Sequence, residues 1–560
     1  MSATTTVAAE RPSIDATAAS NHQSGTPHEP DDQAHRGHPT TQLDVEDTPQ
    51  LSDENVEYPT GVKVWLAVGA MYTAFFLNGL DITIVAVAVP RLTDYFKKVD
   101  DIGWYSAAYG MTASAFIPLF GKACTVFTPK SIALIGQITF LLGSILCTFS
   151  SQSGTFICGR ALAGLGASAL NSSCLTLVTH LFPSHKRSLW LSLAGGSQSI
   201  GLSLAPAIGG ALIDRFSWRA CFGINIPLCS FAIVFSYFFV TDPIPPPGLD
   251  APLTKKIKKL DIPGTMIIVP CIVCLLLGLQ WGGIKYGWGD VRIIVLLVLF
   301  AVLALVFGVL QYRLGERAMV LPKIAKKRST VAAMWFAACC SGTLAITEYY
   351  TSIYWQGVRG DTPTVAGLLS LGLIVGLSVG CIVSGFGINY IGYYTPFMIA
   401  TSVLAPIASG LLTTLDLDES KVKIVAILAM LGFGVGIGLN APYQAMATIL
   451  SPQEVSLGIA LIGFAGGLAS ALFISASATL FQIRLRDEVL NFAPGTNITA
   501  LSHAGLSDIR GLIGQQNLKD VLTGYNRATV ETLYMPLALS LLTVLGSAAM
   551  EWVSVKKKQD

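Results

Sequence analysis

Long apolar runs separated by short polar segments cover the chain from Val62 almost to its C-terminal end. Each run holds about 20 residues, which is the length that an α-helix needs to cross the hydrocarbon core of a bilayer. Before Val62 the chain is polar. The alternation predicts an all-α polytopic membrane protein that follows a polar N-terminal segment.

Fourteen spans are predicted from these runs. The first six lie at 62–84, 103–123, 130–150, 155–178, 188–213 and 219–240, and two more lie near 263–283 and 291–312. The last six lie at 331–355, 364–388, 395–414, 423–449, 455–481 and 530–552. Gly282 and Gly283 interrupt the seventh span, so we expect that span to be short or tilted.

Two short glycine-marked loops stand at corresponding places in the first six and the last six spans. One runs from Gly121 to Lys130 and the other from Gly385 to Gly392. This weak repeat predicts two six-helix bundles, at 62–240 and 331–552, joined by a cytoplasmic linker with two inserted helices at 241–330. Such halves are typical of secondary transporters.

Lysine and arginine in the short loops set the predicted orientation. They concentrate on the side of both chain ends, for example at Lys122, at Lys255–Lys259 and in the basic C-terminal segment 553–560. Lys421 and Lys423 weaken the bias in one opposite loop. Both ends are predicted to be cytoplasmic, which makes 484–529 an extracellular loop and Asn497, followed by Ile498 and Thr499, a candidate glycosylation site.

Composition agrees with a membrane protein, because only 12% of the 560 residues are charged, against roughly 25% in soluble proteins. The charges lie in short loops, so the net charge of +2 predicts no nucleic-acid partner. Most of the eleven cysteines lie within the spans and are interpreted as small core residues. Cys271 and Cys274 form a C-x-x-C without a second pair, so no metal or cofactor is predicted.

Residues 1–61 form an acidic segment that differs from the rest of the chain. Its first 60 residues contain eleven acidic residues, two arginines and no lysine. Such a segment buries too little apolar surface to fold alone, so a disordered cytoplasmic tail is predicted. It also lacks the basic start and apolar core of a cleavable signal peptide.

Asp81 and Arg160 are the first candidates for chemistry. An ionisable residue within a span costs about 2.5–3.5 kcal/mol on insertion scales, so it needs a partner or a function. With the predicted topology both residues lie toward the outer half of their spans and are close enough in depth to pair. Two interpretations stay open, a fixed ion pair that locks two helices and a carboxylate that takes up a proton when its partner leaves.

Glu348 is the third ionisable residue within a span, and we expect burial to favour its neutral form. It can carry a proton, attract a cationic substrate, or face water without a role. Tyr350 and Tyr354 near it are candidates for a substrate cavity, although aromatic belts at membrane interfaces are common. Gln356 and Asn440 are polar candidates that either bond between helices or face a substrate.

The stretch from Gly201 to Gly210 is interpreted as a close contact between helices. Gly201, Gly209 and Gly210 remove side-chain bulk, so that a neighbouring backbone approaches closely. Pro206 frees a backbone carbonyl one turn earlier and bends the helix. Such a helix suits two bundles that slide against each other, and a tightly packed structural helix is the alternative.

Several motifs resemble those of the fourteen-spanner drug:proton antiporters of the major facilitator superfamily, especially fungal efflux pumps. The resemblance covers 62–552 and is specific, because the motifs occur in the right spans and order. They are Leu80-Asp81 through Pro90, Arg160 with Gly164 and Gly166, the antiporter motif from Gly201 to Gly210, and Trp218-Arg219 with Asn225 and Pro227. Ala205 and Thr125 depart from the family pattern, which favours glycine and aspartate there.

The resemblance implies a major facilitator fold and proton-coupled export of small hydrophobic compounds such as toxins, secondary metabolites or drugs. It implies a role in proton transfer for Arg160, and we predict that Asp81 couples protonation to the separation of helices together with it. Importers of the same fold, such as siderophore carriers, and a non-transporting sensor are the alternatives. No P-loop, metal-ligand cluster or G-x-S-x-G motif indicates an enzyme. We predict a monomer surrounded by lipid in the plasma membrane, with a vacuolar or vesicle membrane as the alternative.

Overall fold

The structure, a computed structural model, describes residues 61–96, 102–242, 252–283, 286–417, 419–451, 454–492 and 518–555. Within these ranges the regular elements are helices and no β-strand occurs beyond two isolated bridges, which agrees with the all-α prediction. The predicted tail up to residue 60, the candidate glycosylation site Asn497 and residues 556–560 lie outside the described residues.

Seven helices occur in the part of the N-terminal half that the structure describes, because the sixth predicted span is divided in two. They are α1 (Val62–Phe96), α2 (Ile102–Val126), α3 (Pro129–Thr148), α4 (Ser153–Leu181), α5 (Ser184–Arg215), α6 (Trp218–Gly223) and α7 (Asn225–Phe239). The Ser217 side chain accepts a hydrogen bond from the Arg219 backbone N–H and begins α6. Pro227 has no N–H to donate to the Gly223 carbonyl, which favours the break before α7.

The inserted segment forms a helical hairpin. It consists of the short basic helix α8 (Leu253–Lys259) and the two long helices α9 (Ile262–Trp281) and α10 (Val291–Leu314). The buried Asp261 caps α9 by accepting from the Gly264 N–H at 2.7 Å, and it also accepts from Gln311 Nε2 of α10 at 2.5 Å. This polar contact joins the start of α9 to the end of α10.

The described residues of the C-terminal half form nine α-helices. They are α11 (Pro322–Ala325), α12 (Arg328–Ile353), α13 (Pro363–Ile391), α14 (Thr395–Leu412), α15 (Lys421–Leu439), α16 (Ala441–Ile449), α17 (Val455–Phe492), α18 (Leu518–Thr532) and α19 (Tyr534–Ala549). A π-helical turn at Tyr354–Val358 extends α12. Pro442 lacks an N–H in the first turn of α16, which favours the break between α15 and α16.

Twelve helical segments of the described chain are long and apolar enough to cross a membrane. The two further predicted spans, 103–123 and 188–213, coincide with α2 and α5. These helices have 25 and 32 residues, so their length suffices, but they carry more polar and small residues. The protein is a multi-pass membrane protein, and the count of fourteen stays a prediction.

The predicted loop 484–529 differs most from the structure. Helix α17 has 38 residues, so at 1.5 Å per residue it is about 57 Å long and exceeds the roughly 30 Å of a hydrocarbon core. Its last turns pack against α18, where Arg484 Nε lies 3.2 Å from Glu531 Oε2. Both ends of the predicted loop are therefore helical. The first end belongs to α17 and the second to α18, and the two helices pack against each other beyond the apolar span.

Each half has its own apolar core, and the two halves meet along two helix pairs. Helix α5 packs on α13 and α2 packs on α17. A Cβ at Gly385 of α13 would lie 2.8 Å from the Ser192 Cβ, and one at Gly121 of α2 would collide with Ala460 of α17. The glycine-marked ends identified in the sequence thus provide close contacts between the halves, because they leave room for the facing side chains.

Candidate functional site

Asp81 of α1 and Arg160 of α4 form an ion pair inside the N-terminal half. Arg160 Nη1 donates to Asp81 Oδ2 at 2.5 Å, and both side chains are only 1% exposed. Arg160 Nη2 donates to the Asp81 backbone carbonyl at 3.3 Å, and its Nε donates to the Tyr105 carbonyl at 3.0 Å. The guanidinium is thus held by α1 and by α2 at the same time.

Asn225, the first residue of α7, completes the coordination of Asp81. Its Nδ2 donates to Asp81 Oδ1 at 3.0 Å and to Ser144 Oγ of α3 at 3.3 Å. The break between α6 and α7 brings this side chain into the bundle, where it is fully buried. Asp81 is therefore the point at which α1, α4 and α7 meet, while Ser144 connects α3 to the same site.

Aromatic and amide side chains enclose the ion pair on the α2 side. The Arg160 Cζ atom lies 4.5 Å from the ring centroid of Tyr109. The Tyr109 hydroxyl donates to Asn78 Oδ1 at 2.5 Å, and Asn78 Nδ2 donates to Asn171 Oδ1 at 3.3 Å. Since Asn78 lies one turn before Asp81, the same face of α1 carries the carboxylate and the amide that holds the ring.

This arrangement is able to link the protonation of one carboxylate to the packing of three helices. A proton on Asp81 would remove the negative charge that faces Arg160 and would leave a buried cation with weaker partners. An unpaired buried charge is costly, so protonation favours a rearrangement in which Arg160 finds other partners or solvent. The geometry thus suits a site that couples the protonation of Asp81 to helix movement. A fixed ion pair that only holds α1 and α4 together would make the same contacts but would not rearrange.

Helix α5, which carries the stretch from Gly201 to Gly210, packs tightly against α1. A Cβ at Gly201 would collide with the backbone carbonyl oxygen of Phe76, and one at Gly79 would collide with that of Gln198. A Cβ at Gly209 would lie 3.0 Å from Ile84. Helix α5 continues through Pro206 and Gly210 to Arg215. The glycines therefore allow a backbone-to-backbone contact directly beside the Asp81 site.

Glu348 lies on a partly exposed polar face of α12. Its carboxylate makes no hydrogen bond or ion pair with any described residue. Ser352 and Gln356 follow at one-turn spacing, and Gln356 Nε2 donates to Ser352 Oγ at 2.9 Å. This face is thus the part of the predicted substrate region that keeps polar side chains accessible.

Tyr350 and Tyr354 are buried in the core of the C-terminal half, each with 1% exposure. The Tyr350 ring packs at 5.4 Å from Phe481 of α17. The Tyr354 hydroxyl donates to the Asp416 carbonyl at 3.1 Å. The structure therefore separates these two rings from the partly exposed Glu348 and Gln356, since the π-helical turn and α12 direct them inward.

Asn440 lies at the break between α15 and α16, against the N-terminal half. A Cβ at Gly195 of α5 would lie 3.0 Å from both amide atoms of Asn440. The side chain is 7% exposed, and its Nδ2 forms no hydrogen bond within the described ranges. No group of three or more metal-ligating side chains occurs in the described part of the chain.

The comparisons with known sequences concern nearly the whole chain. The sequence profile of the Major Facilitator Superfamily matches residues 71–474. An MFS-type efflux pump of Trichophyton rubrum is 37% identical over 506 residues, which are 90% of this chain and 94% of that protein. The efflux pump aflT of Aspergillus parasiticus is 35% identical over 513 residues, 91% of this chain and 100% of that protein. The MFS thioclapurine efflux transporter tcpA of Claviceps purpurea is 36% identical over 509 residues, 91% and 94% of the two chains.

Solved structures share the fold at low sequence identity. The human organic anion transporter MFSD10 superposes with a TM-score of 0.54 at 13% identity, covering 86% of this chain and 100% of that one. The proton:xylose symporter XylE superposes with a TM-score of 0.52 at 13% identity, covering 88% and 97%. These likenesses support the arrangement of two helical halves.

Proposed function

Because this chain belongs to the Major Facilitator Superfamily, we propose that it exports small hydrophobic organic compounds across a membrane in exchange for protons. Its relatives named as efflux pumps support export as the direction, and one of them is named for a secondary metabolite, thioclapurine. The observation that carries the proton coupling is the buried pair of Asp81 and Arg160, with Asn225 as a third partner. We place the pump in the plasma membrane.

Proton entry drives the cycle in this proposal. A proton that reaches Asp81 weakens its contact with Arg160, and the two helical halves change the side on which the substrate region is open. Each elementary charge moved through 100 mV is worth about 2.3 kcal/mol, which sustains a gradient of more than tenfold because a factor of ten corresponds to about 1.4 kcal/mol. The close contact between α1 and α5 transmits the movement, since it lies beside Asp81.

The partly exposed face of α12 is the proposed substrate contact. Glu348 would attract a cationic group there, and Gln356 would donate to a polar group of the substrate. Glu348 stands apart from the Asp81 site, so charge selectivity and proton coupling would reside in different halves. This separation allows each function to be tested alone.

We expect Glu348→Gln to lower the transport of a cationic dye, rhodamine 6G, by about fivefold, because it removes a charge attraction of about 1 kcal/mol, the value for two unit charges about 4 Å apart in water. Transport of the neutral dye Nile red is expected to stay within twofold. Both fluxes are measured in sealed vesicles, and Asp290→Asn in the turn before α10 serves as a control for a lost acidic residue. Equal effects on both dyes would remove Glu348 from the substrate contact.

Flux in sealed vesicles of known orientation, under an imposed pH gradient, tests the proposal as a whole. We expect rhodamine 6G and Nile red to move opposite to the protons, and an uncoupler to abolish the movement. Movement in the same direction as the protons would make the protein an importer. No movement of either dye would contradict export of hydrophobic compounds.

A further inference from the structure

Two amide side chains at the break between α15 and α16 each have one atom without a partner. Asn440 Nδ2 and Gln444 Oε1 form no hydrogen bond with any residue that the structure describes, and the two side chains are 7% and 1% exposed. Asn440 is the residue before α16, and the Gln444 N–H donates to its carbonyl at 3.1 Å, so the two residues stand one turn apart on the same side. Among the unpartnered buried polar atoms of the described residues, no other pair stands one turn apart on a helix.

The helix break places Asn440 at the boundary between the two halves, and Gln444 follows one turn later in α16. Asn440 faces Gly195 of α5, whose missing side chain leaves room for the amide. Tyr443, between the two amides in sequence, is partly exposed, and its hydroxyl lies 3.9 Å from the Cβ position of Gly463. Ile117 of α2 approaches that same position to 3.6 Å. Helix α16 thus contacts α5 of the first seam and α17 of the second.

Buried amide groups are almost always hydrogen-bonded, because an unmade bond forfeits the hydration that water would supply. Asn440 presents a free N–H donor and Gln444 presents a free carbonyl acceptor. Neither group carries a charge, so they suit a neutral ligand better than an ion. A ligand that satisfies both must offer an acceptor and a donor close together.

We propose that Asn440 and Gln444 form a recognition site for a neutral group that carries both an acceptor and a donor, such as a cyclic amide. The inference deepens the proposed export function and rests on it, because the site is part of the region between the halves that a substrate would cross. Asn440 Nδ2 donates to the ligand carbonyl, and Gln444 Oε1 accepts from the ligand N–H. The remaining apolar surface of the substrate contacts the neighbouring seam.

Binding of 2-quinolone and N-methyl-2-quinolone to the purified full-length protein tests this site. The two probes share a planar ring and a carbonyl, but only the first has an N–H. We expect 2-quinolone to bind about tenfold more tightly in equilibrium dialysis. Gln444→Met keeps the length of the side chain and should abolish this preference. Asn440→Leu should weaken the binding of both quinolones about tenfold, because both carry the carbonyl that Asn440 contacts.

Gln482→Met on the exposed side of α17 is the matched control and should keep the preference. Thermal unfolding is measured for every variant, so that a misfolded protein is recognised. Equal binding of the two quinolones, binding of neither, or an unchanged preference in a folded Gln444→Met protein would overturn the site. Rhodamine 6G and Nile red flux separates the two proposals: flux without a quinolone preference overturns only the amide site, and a preference without flux overturns the export function.

Discussion

Asp81→Asn is expected to abolish proton-driven substrate movement, with a loss of at least a hundredfold. Asparagine keeps the shape of the side chain but does not take up a proton in the physiological range, so the coupling step disappears. The substitution also leaves Arg160 as an unpaired buried cation. Removal of one partner of a buried ion pair typically destabilises a protein by about 3–5 kcal/mol. Transport in sealed vesicles and thermal unfolding of the purified protein measure the two effects separately.

The double variant Asp81→Asn with Arg160→Gln distinguishes a coupling residue from a structural lock. It removes both charges, so much of the lost stability should return, since two neutral partners replace a buried unpaired charge. Transport driven by the pH gradient should stay abolished. If the double variant regained both stability and proton-driven flux, the pair would be a structural lock and the proposed coupling role would be wrong.

Gly201→Ala is expected to lower transport at least tenfold. The added methyl group would collide with the Phe76 backbone carbonyl of α1, and a backbone atom is unable to move aside without shifting its helix. Overpacking of this kind costs about 1–3 kcal/mol. Because the contact lies beside Asp81, separation of α1 and α5 should also disturb the ion pair. Initial rates of rhodamine 6G efflux and the thermal unfolding temperature measure the result.

Gly196→Ala is the matched control within the same helix. A Cβ at Gly196 would have no atom within 4 Å, so the substitution keeps the packing and should keep transport within twofold. The control also corrects for any effect of exchanging glycine for alanine on the helix itself, since alanine favours helices. Equal transport by the two variants would show that the close contact of α1 and α5 is not required.

Most of the membrane-spanning architecture was predictable from the sequence, and the exceptions have local causes. Twelve of the predicted spans coincide with helices that are long and apolar enough to cross a membrane, because apolar composition alone marks these segments. Helix α5 is less apolar because it contacts other helices on several sides and uses small residues there. Hydropathy does not predict the end of α17, because the last turns of this helix are polar and are stabilised by packing against α18.

The candidate site was predictable in part. Asp81, Arg160 and the glycine motif stood out because charge and glycine are unusual within apolar spans. The role of Asn225 was not evident, since a polar residue near a helix start is common and nothing local marks it as a partner. The neighbourhood of Asp81 joins residues 79 and 144 positions away in the chain, so only packing brings them together. Tyr350 and Tyr354 are close to Glu348 in the sequence, but their rings lie in the core and not on the partly exposed face of α12 that carries Glu348.

The hydrophobic pattern is enough to predict an all-α membrane protein with two helical halves and an inserted helix pair, and it indicates the two charges that need a partner. These properties follow from local composition and spacing, which act on each segment separately. Three contacts are visible only in the folded protein: Asn225 completes the Asp81 site, Gly201 meets the backbone of α1, and the Asn440 side chain faces α5. Those contacts depend on the relative rotation and depth of whole helices, which result from all packing surfaces together.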